Sequence, residues 1–241
     1  MYTARFTFLP DLNNFLAPDR REGSFGYAFE QGQSVKHLIE AAGVPHTEIG
    51  PVVVNGRPIG FEYQVQGGDQ VTVFPAKAEN EQPGEIHFVL DNHLGRLAAY
   101  LRMLGFDVVY RNDFDDAELA QIAANEERIL LTRDRRLLMR KAVRHGYCLR
   151  SLDSREQAIE VLLRYNLFQA ITPFRRCLRC NTLLERISKE AIIEHLEPLT
   201  KRYYKEFHHC PACGQIYWKG SHYEHMQLMI EAFQARQDTG N

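Results

Sequence analysis

The chain has 241 residues, 44% of them apolar, enough to bury the cores of two or three small domains. Its 29 lysines and arginines are nearly balanced by 31 aspartates and glutamates, so global charge does not mark it as a nucleic-acid or membrane-surface protein. No apolar run approaches the roughly 20 residues of a membrane helix, and no signal peptide precedes the first strand, so a cytoplasmic protein without membrane attachment is expected.

Residues 1–78 read as one small unit. ARFTFLP and GSFGYAFE alternate as strands do, and SVKHLIEAAG is a helix opened by Ser34 as N-cap and closed by Gly43. PVVVNGRPI gives a strand ending in an Asn-Gly turn, and VQGGDQVTVFPA supplies the last strand. Two strands, a helix, then more strands is the order of a compact β-grasp domain. VVVNGRPI and GGDQVTVFP resemble the ubiquitin-like sulfur carriers. Those proteins are activated at a free C-terminal Gly-Gly, whereas here Phe74-Pro75-Ala76 runs into a linker, KAENEQPGE. Thiocarboxylate chemistry is therefore not expected, and Gly67-Gly68 reads as a turn. A docking or RNA-positioning module, open to a protein partner, is the expectation.

Residues 85–168 alternate strands with helices, the pattern of a parallel α/β sheet. Ile86 to Leu90 is a short apolar strand that delivers Asp91 at its carboxyl end, where open parallel sheets bind ligands. LGRLAAYLRML has helical spacing with Gly105 as its stop, and Phe106 to Tyr110 is the next strand. Asp116 stands at the start of the helix AELAQIAAN, RILLT is a third strand, and Asp134 lies just beyond it. Carboxylates gathered at one rim repel one another unless a divalent cation neutralises them. Hard oxygen ligands suit Mg²⁺ or Mn²⁺, as one ion or as a pair about 4 Å apart spanning a phosphodiester displacement. Each acid alone also reads as a turn former or helix cap, Asp116 in particular as an N-cap. Asp113 and Asp115 compete with Asp116 for the middle position, and Glu118 is either a fourth ligand or a favourable charge at the helix start.

LDNHLGRLAAYLRMLGFD, DDAELAQIA and RILLTRD resemble the PIN-like ribonuclease of the Mut-seven C-terminal RNase family, a likeness that extends through the C-terminal cysteines. The ubiquitin-like domain found fused in front of that family is similar to residues 1–78. The resemblance implies that Asp91, Asp116 and Asp134 are catalytic metal-binding acids and that Asn92 and Arg96 line the same rim, with RNA as substrate. Arg96 reads equally as a solvated helix residue.

Five cysteines are present, four of them as Cys177-x-x-Cys180 and Cys210-x-x-Cys213. Two such pairs match a tetrahedral Cys₄ zinc site of ribbon type, closed and hence structural. Disulfides are the alternative, set aside because a cytosolic compartment keeps thiols reduced. Pro211 and Gly214 favour the tight turn of the second pair. The 29 residues separating Cys180 from Cys210 are expected to hold an inserted element such as SKEAIIEHL. His208 and His209 are either replacement ligands or surface residues. Cys148 reads as a small buried apolar group in a fourth strand. The ribbon with a C-terminal helix is placed at 172–236, and QARQDTGN at the end reads as frayed.

From 133 to 150 lie Arg133, Arg135, Arg136, Arg140, Lys141, Arg144 and Arg150 against one acid, Asp134. Arg133, Arg135 and Arg136 are therefore candidate phosphate contacts, and Arg175, Arg176 and Arg179 extend the track, although charge runs are also ordinary solvated faces. Tyr203, Tyr204, Phe207 and Trp218 either stack unpaired bases or form the ribbon's own small core. The fold expected is α/β, a PIN-like parallel-sheet domain preceded by a β-grasp (ubiquitin-like) domain and followed by a zinc ribbon. The function expected is a Mg²⁺- or Mn²⁺-dependent ribonuclease using structural Zn²⁺, with a noncatalytic RNA- or ribosome-binding adaptor as the alternative. A protein-interaction scaffold using the β-grasp face is a third, and the oligomeric state stays open.

Overall fold

The computed structural model describes residues 1–21, 23–77 and 86–237. The expected linker KAENEQPGE beyond Lys77 and the last four residues of QARQDTGN lie outside them. In chain order the strands and helices are β1 (Tyr2–Phe8), β2 (Ser24–Phe29), α1 (Val35–Ala41), β3 (Ile49–Val54), β4 (Arg57–Ile59), β5 (Gln70–Pro75), β6 (His87–Leu90) and α2 (Gly95–Met103). Next come β7 (Asp107–Val109), α3 (Asp116–Asn125), β8 (Ile129–Thr132), α4 (Arg135–Leu138), β9 (Gly146–Cys148) and α5 (Ser154–Arg164). The remainder is β10 (Glu185–Ile187), α6 (Lys189–Ile192), α7 (Pro198–Tyr203), β11 (Phe207–His209), β12 (Ile216–Trp218) and α8 (Ser221–Gln234). They fall into two compact units, one formed by Met1–Glu79 with Asp115–Leu149 and the other by Asn80–Phe114 with Arg150–Asn241.

In the first unit the N-terminal sheet has the order β2-β1-β5-β3-β4. β1 pairs antiparallel with β2 and parallel with β5, the β-grasp arrangement. Local chemistry sets its corners. Ser34 caps α1 by accepting a hydrogen bond from the His37 amide. Asn55 and Gly56, with φ of 51° and 80°, form the turn that folds β4 back onto β3, a conformation that a right-twisted two-residue hairpin requires. Asp69 is buried and accepts from the Asn55 amide at 2.7 Å, the Tyr63 hydroxyl at 3.1 Å and the Gln66 backbone at 2.8 Å. That network fixes the Gly67-Gly68 turn, whose Gly68 φ is 89°. Burial raises the Tyr63 pKa, and the Asp69 carboxylate adds to the rise.

The same unit contains α3 and the parallel pair β8 and β9, joined through α4. The β-grasp residues are anchored to this segment by side chains far away in sequence. Buried Glu48 accepts from the Cys148 amide at 2.6 Å. The ring nitrogens of His46 lie 2.7 Å from Glu40 and 2.8 Å from the Val143 carbonyl. Arg135 donates to the carbonyls of Phe15 (2.9 Å) and Asn14 (2.8 Å), and its guanidinium stands over the Phe15 ring. Gly43 makes room for this contact, since a Cβ there would come within 2.8 Å of the Phe15 carbonyl oxygen.

In the second unit β6 and β7 are parallel, with α2 crossing between them. α2 is apolar on the face that carries Leu97, Ala98 and Leu101, all buried, as its spacing predicts. Gly105, with φ of 100°, ends the helix against the Thr172 carbonyl and leaves no space for a side chain. The ribbon sheet β10-β11-β12 is antiparallel. α5 packs near the end of α8, where Glu156 and Arg236 pair at 3.3 Å. The fold is thus α/β with parallel strands after an N-terminal β-grasp sheet, as expected.

Candidate metal centres and RNA-facing residues

The best-defined site is the cysteine cluster. Cys177, Cys180, Cys210 and Cys213 bring their sulfurs within 4.8 Å of one another. Both knuckles have the same build. The amide of the fourth residue on, Asn181 or Gly214, donates to the carbonyl of the first cysteine at 2.9 Å in each case. The first cysteine's own amide then donates to the fifth residue on, Thr182 at 2.8 Å or Gln215 at 2.9 Å. Asn181 and Gly214 both take positive φ, 73° and 72°, which is why Gly or Asn stands there. The fit to zinc is geometric. A tetrahedral ion with Zn–S of about 2.3 Å sets its ligands about 3.8 Å apart, and two of the sulfur pairs, Cys177–Cys213 and Cys180–Cys210, lie at 3.6 Å and 3.3 Å.

The thiols also carry a charge problem. Desolvation pushes the Cys180 thiol up, but hydrogen bonding to Thr182, Cys210 and Cys177 brings it down to about 6. At Cys213 the Gln215 amide favours the thiolate, yet burial and the three neighbouring sulfurs push its pKa up to about 12. Four sulfurs this close cannot all be anionic without a cation among them. Tyr217 adds support, its hydroxyl 3.2 Å from the Cys177 sulfur while it accepts from the Leu178 amide at 3.1 Å. Burial first, and then the Cys177 hydrogen bond, hold the Tyr217 phenol well above its ordinary pKa. His208 and His209 fall outside the cluster. His209 lies 3.7 Å from Glu185 instead.

Arg102 ties this site to the α/β core. It is buried on α2, donates through Nε and Nη2 to the Val108 carbonyl, and through Nη1 to the carbonyls of Leu178 (3.1 Å) and Arg179 (2.9 Å) inside the first knuckle. Burial pulls its pKa below the usual guanidinium value, and the Cys180 and Cys177 sulfurs with Asp107 oppose that pull. Asn181 completes the join by accepting from the Val108 amide at 3.0 Å and donating to Asp107 at 3.0 Å. No feature of the sequence around Arg102 separates it from an ordinary helix-face cation; its role rests on partners more than 70 residues away.

The acids stand as follows. Asp91 follows the carboxyl end of β6, half-buried. Next to it Asn92 donates to the Phe114 carbonyl at 3.4 Å, and its Oδ1 is buried with no hydrogen-bond partner among the described residues. An orphaned oxygen of this kind calls for a water or an ion. Asp134 follows β8 and caps α4, its Oδ1 accepting from the Arg136 amide at 2.7 Å. The helix-capping role of the middle acids goes to Asp115, not Asp116. Asp115 accepts from the Ala117 and Glu118 amides, and the Glu118 carboxylate accepts from the Asp115 amide, a complete capping box. That accounts for Glu118 as well. Asp113 is held by Arg111 through two bonds of 2.8 and 2.6 Å, which lower its pKa. Asp116, in the first turn of α3, is left with Arg140 at 3.4 Å.

Among the cations, Arg96, Arg133 and Arg136 are exposed. Arg135 is spent on Phe15 and Asn14, a job the sequence reading did not foresee. The aromatic residues divide. Phe207 is buried with Ile192 and Leu196 against Ile187, Tyr204 and Ile216, so it and Tyr204 form the ribbon's core, while Tyr203 and Trp218 are exposed.

The model of the Mut7-C RNAse domain matches residues 86–230. The chain belongs to the Mut7-C RNAse domain family. The Mut7-C ubiquitin model matches residues 1–81, in agreement with the β-grasp sheet. Comparison with curated proteins and with solved structures returned no match. Membership gives the Mut7-C chain a nuclease class of activity with RNA as the implied substrate. Among the described residues no helix is long and apolar enough to cross a membrane.

Proposed function

We propose that the protein is a Mg²⁺- or Mn²⁺-dependent ribonuclease in which Asp91, Asp116 and Asp134 hold the catalytic metal and a structural Zn²⁺ on Cys177, Cys180, Cys210 and Cys213 supports RNA binding by the ribbon. The observation that carries this reading is the family match over 86–230, read with the position of Asp91 after β6 and Asp134 after β8. Both follow the carboxyl ends of parallel strands, where this class of fold binds ligands. A donor set of three carboxylates suits a hard, hydrated cation, and the orphaned Asn92 oxygen belongs to the residue that follows Asp91 in the chain.

When bound, such a metal lowers the pKa of a coordinated water and stabilises charge on a phosphate oxygen. The side chains have separate tasks. Asp116, freed from capping by Asp115, is the middle ligand. Arg133 and Arg136 neutralise phosphates and hold the strand in register, Arg96 contacts the same backbone, and Asn92 orients a water at the rim. Arg135 is left out of this set. A cytoplasmic location is in keeping with a thiolate zinc site, which a reducing compartment preserves.

A second reading, a noncatalytic RNA adaptor, is favoured by the capping bond of Asp134 and the Asp116–Arg140 pair, both ordinary structural roles. Incubating zinc-replete protein with labelled single-stranded and structured RNA separates the two. Cleavage that requires added Mn²⁺ or Mg²⁺ supports the nuclease, and RNA retention without cleavage in any metal supports the adaptor.

A further inference from the structure

A cleft of about 270 Å³ opens on the ribbon side of the second unit. Four of its walls are aromatic: Phe174, Tyr217, Trp218 and Tyr223. Phe174 and Tyr223 lie ring against ring at 4.3 Å, and Phe174 is held in a left-handed backbone conformation with φ of 60°. An L side chain takes that conformation at a cost. Trp218 keeps 39% of its surface exposed. Gly220 leaves space for its indole, because a Cβ there would sit 2.9 Å from the indole nitrogen. Tyr217 serves the first knuckle through its hydroxyl, but Phe174, Trp218 and Tyr223 stand outside the ribbon core, which is built from Phe207 and its neighbours.

The polar lining is Arg176, Lys219 and His208 with a single acid, Glu206, which Lys219 pairs at 3.2 Å. Arg186 sits opposite His208 across the β10–β11 pair. Arg176 is oriented by Asp107 at 3.2 Å and by the Asn181 carbonyl at 3.1 Å, yet its Nε is buried without a partner among the described residues. A half-open aromatic slot with Arg176 and Lys219 on its rim points to one ligand chemistry. That ligand is a planar ring attached to a phosphate.

We propose that this cleft holds one unpaired nucleotide of single-stranded RNA, its base stacked among Trp218, Tyr223 and Phe174 and its phosphate paired with Lys219 and Arg176. Base–aromatic stacking does not discriminate strongly among bases, so the site grips single strands without a sequence code. Its volume falls just below the roughly 300–1,000 Å³ of small-molecule sites, which suits one base and not two. The inference rests on the reading of the chain as an RNA nuclease, and adds where the strand is held outside the acidic centre.

Trp218 is the single tryptophan of the chain, so its emission reports on the cleft directly. The test titrates the full zinc-loaded protein, without added Mg²⁺ or Mn²⁺, with an eight-nucleotide single-stranded RNA, the same sequence as a duplex, and an acidic peptide of equal charge. Saturable quenching by the single strand is expected, with Tyr223→Leu weakening it at least fivefold and Lys219→Gln weakening it less, both at unchanged zinc content. Equal affinity in Tyr223→Leu, absence of quenching, or equal quenching by duplex or peptide overturns the proposal. Quenching in a protein that cleaves RNA in no metal contradicts the nuclease reading and leaves the cleft standing. Cleavage without quenching does the reverse.

Discussion

Replacing Arg102 by methionine keeps most of the buried volume and removes four N–H···O contacts, two to Val108 and one each to Leu178 and Arg179. Three carbonyl groups would lose a charged donor, and a hydrogen bond to a charged group is worth about 1.5–3 kcal/mol. The contacts share one side chain and are not additive, so the loss is set at about 3–5 kcal/mol, below the sum for three separate bonds to a charged donor. A typical domain has only about 5–15 kcal/mol to lose. For a chain of this size, that corresponds to a melting temperature lower by about 6–20 °C. The same change strips the first zinc knuckle of its bonds to α2, so zinc should pass to a competing chelator faster than from wild type. Arg102→Lys keeps the charge but cannot reach three carbonyls at once, and should fall between the two. Thermal unfolding and chelator-dye kinetics read both effects. If Arg102→Met melts within about 2 °C of wild type and releases zinc at the same rate, the knuckle is not anchored through this guanidinium and the reasoning fails.

Four other outcomes follow from the same contacts. Chelating zinc, or changing Cys177 to serine, should unfold the ribbon sheet β10–β12 while the β-grasp sheet stays folded, as amide hydrogen exchange resolved along the chain would show. Arg135→Ala should cost about 1–3 kcal/mol in urea unfolding without changing the salt dependence of RNA binding, whereas Arg136→Ala should reduce that salt slope by about one without loss of stability. The reverse pattern would return Arg135 to the RNA surface. Asp115→Ala should lower stability by about 1 kcal/mol through the lost capping box and leave cleavage intact, and Asp116→Asn should do the opposite. Glu48→Leu leaves the Cys148 amide without its acceptor and should cost at least about 1–3 kcal/mol, detectable as a lower melting temperature.

What could be read from the sequence was what short-range chemistry decides. The Ser34 cap, the Asn55-Gly56 hairpin and the paired Cys-x-x-Cys knuckles each depend on residues within five positions, and each stands where its spacing placed it. The strand and helix order of 86–132 was legible from apolar periodicity, with boundaries off by one residue, while the short helix α4 was not read. Choosing among Asp113, Asp115 and Asp116 was harder, because all three are aspartate, which favours helix starts, and only the hydrogen bonds separate cap, ion pair and candidate ligand. The aromatic residues of the ribbon posed the same difficulty: Phe207 and Trp218 lie directly opposite each other across β11 and β12, yet one is core and the other exposed. Arg102 and Arg135 were illegible for a different reason. Their partners are carbonyl oxygens, which every residue carries, brought near by folding from 76 and 120 positions away. The sequence does not record such pairings in any residue-type pattern.

The central claim is that carboxylates on this α/β framework hold a metal that cuts RNA. Its most direct test is single-turnover cleavage of a labelled RNA in Mn²⁺ by wild type, Asp91→Asn and Asp134→Asn, with RNA affinity and zinc content measured on the same samples. The account predicts cleavage in wild type alone, with affinity within about threefold and zinc unchanged in both variants. Cleavage that persists in either variant, or that continues after Mn²⁺ is withdrawn, would contradict it.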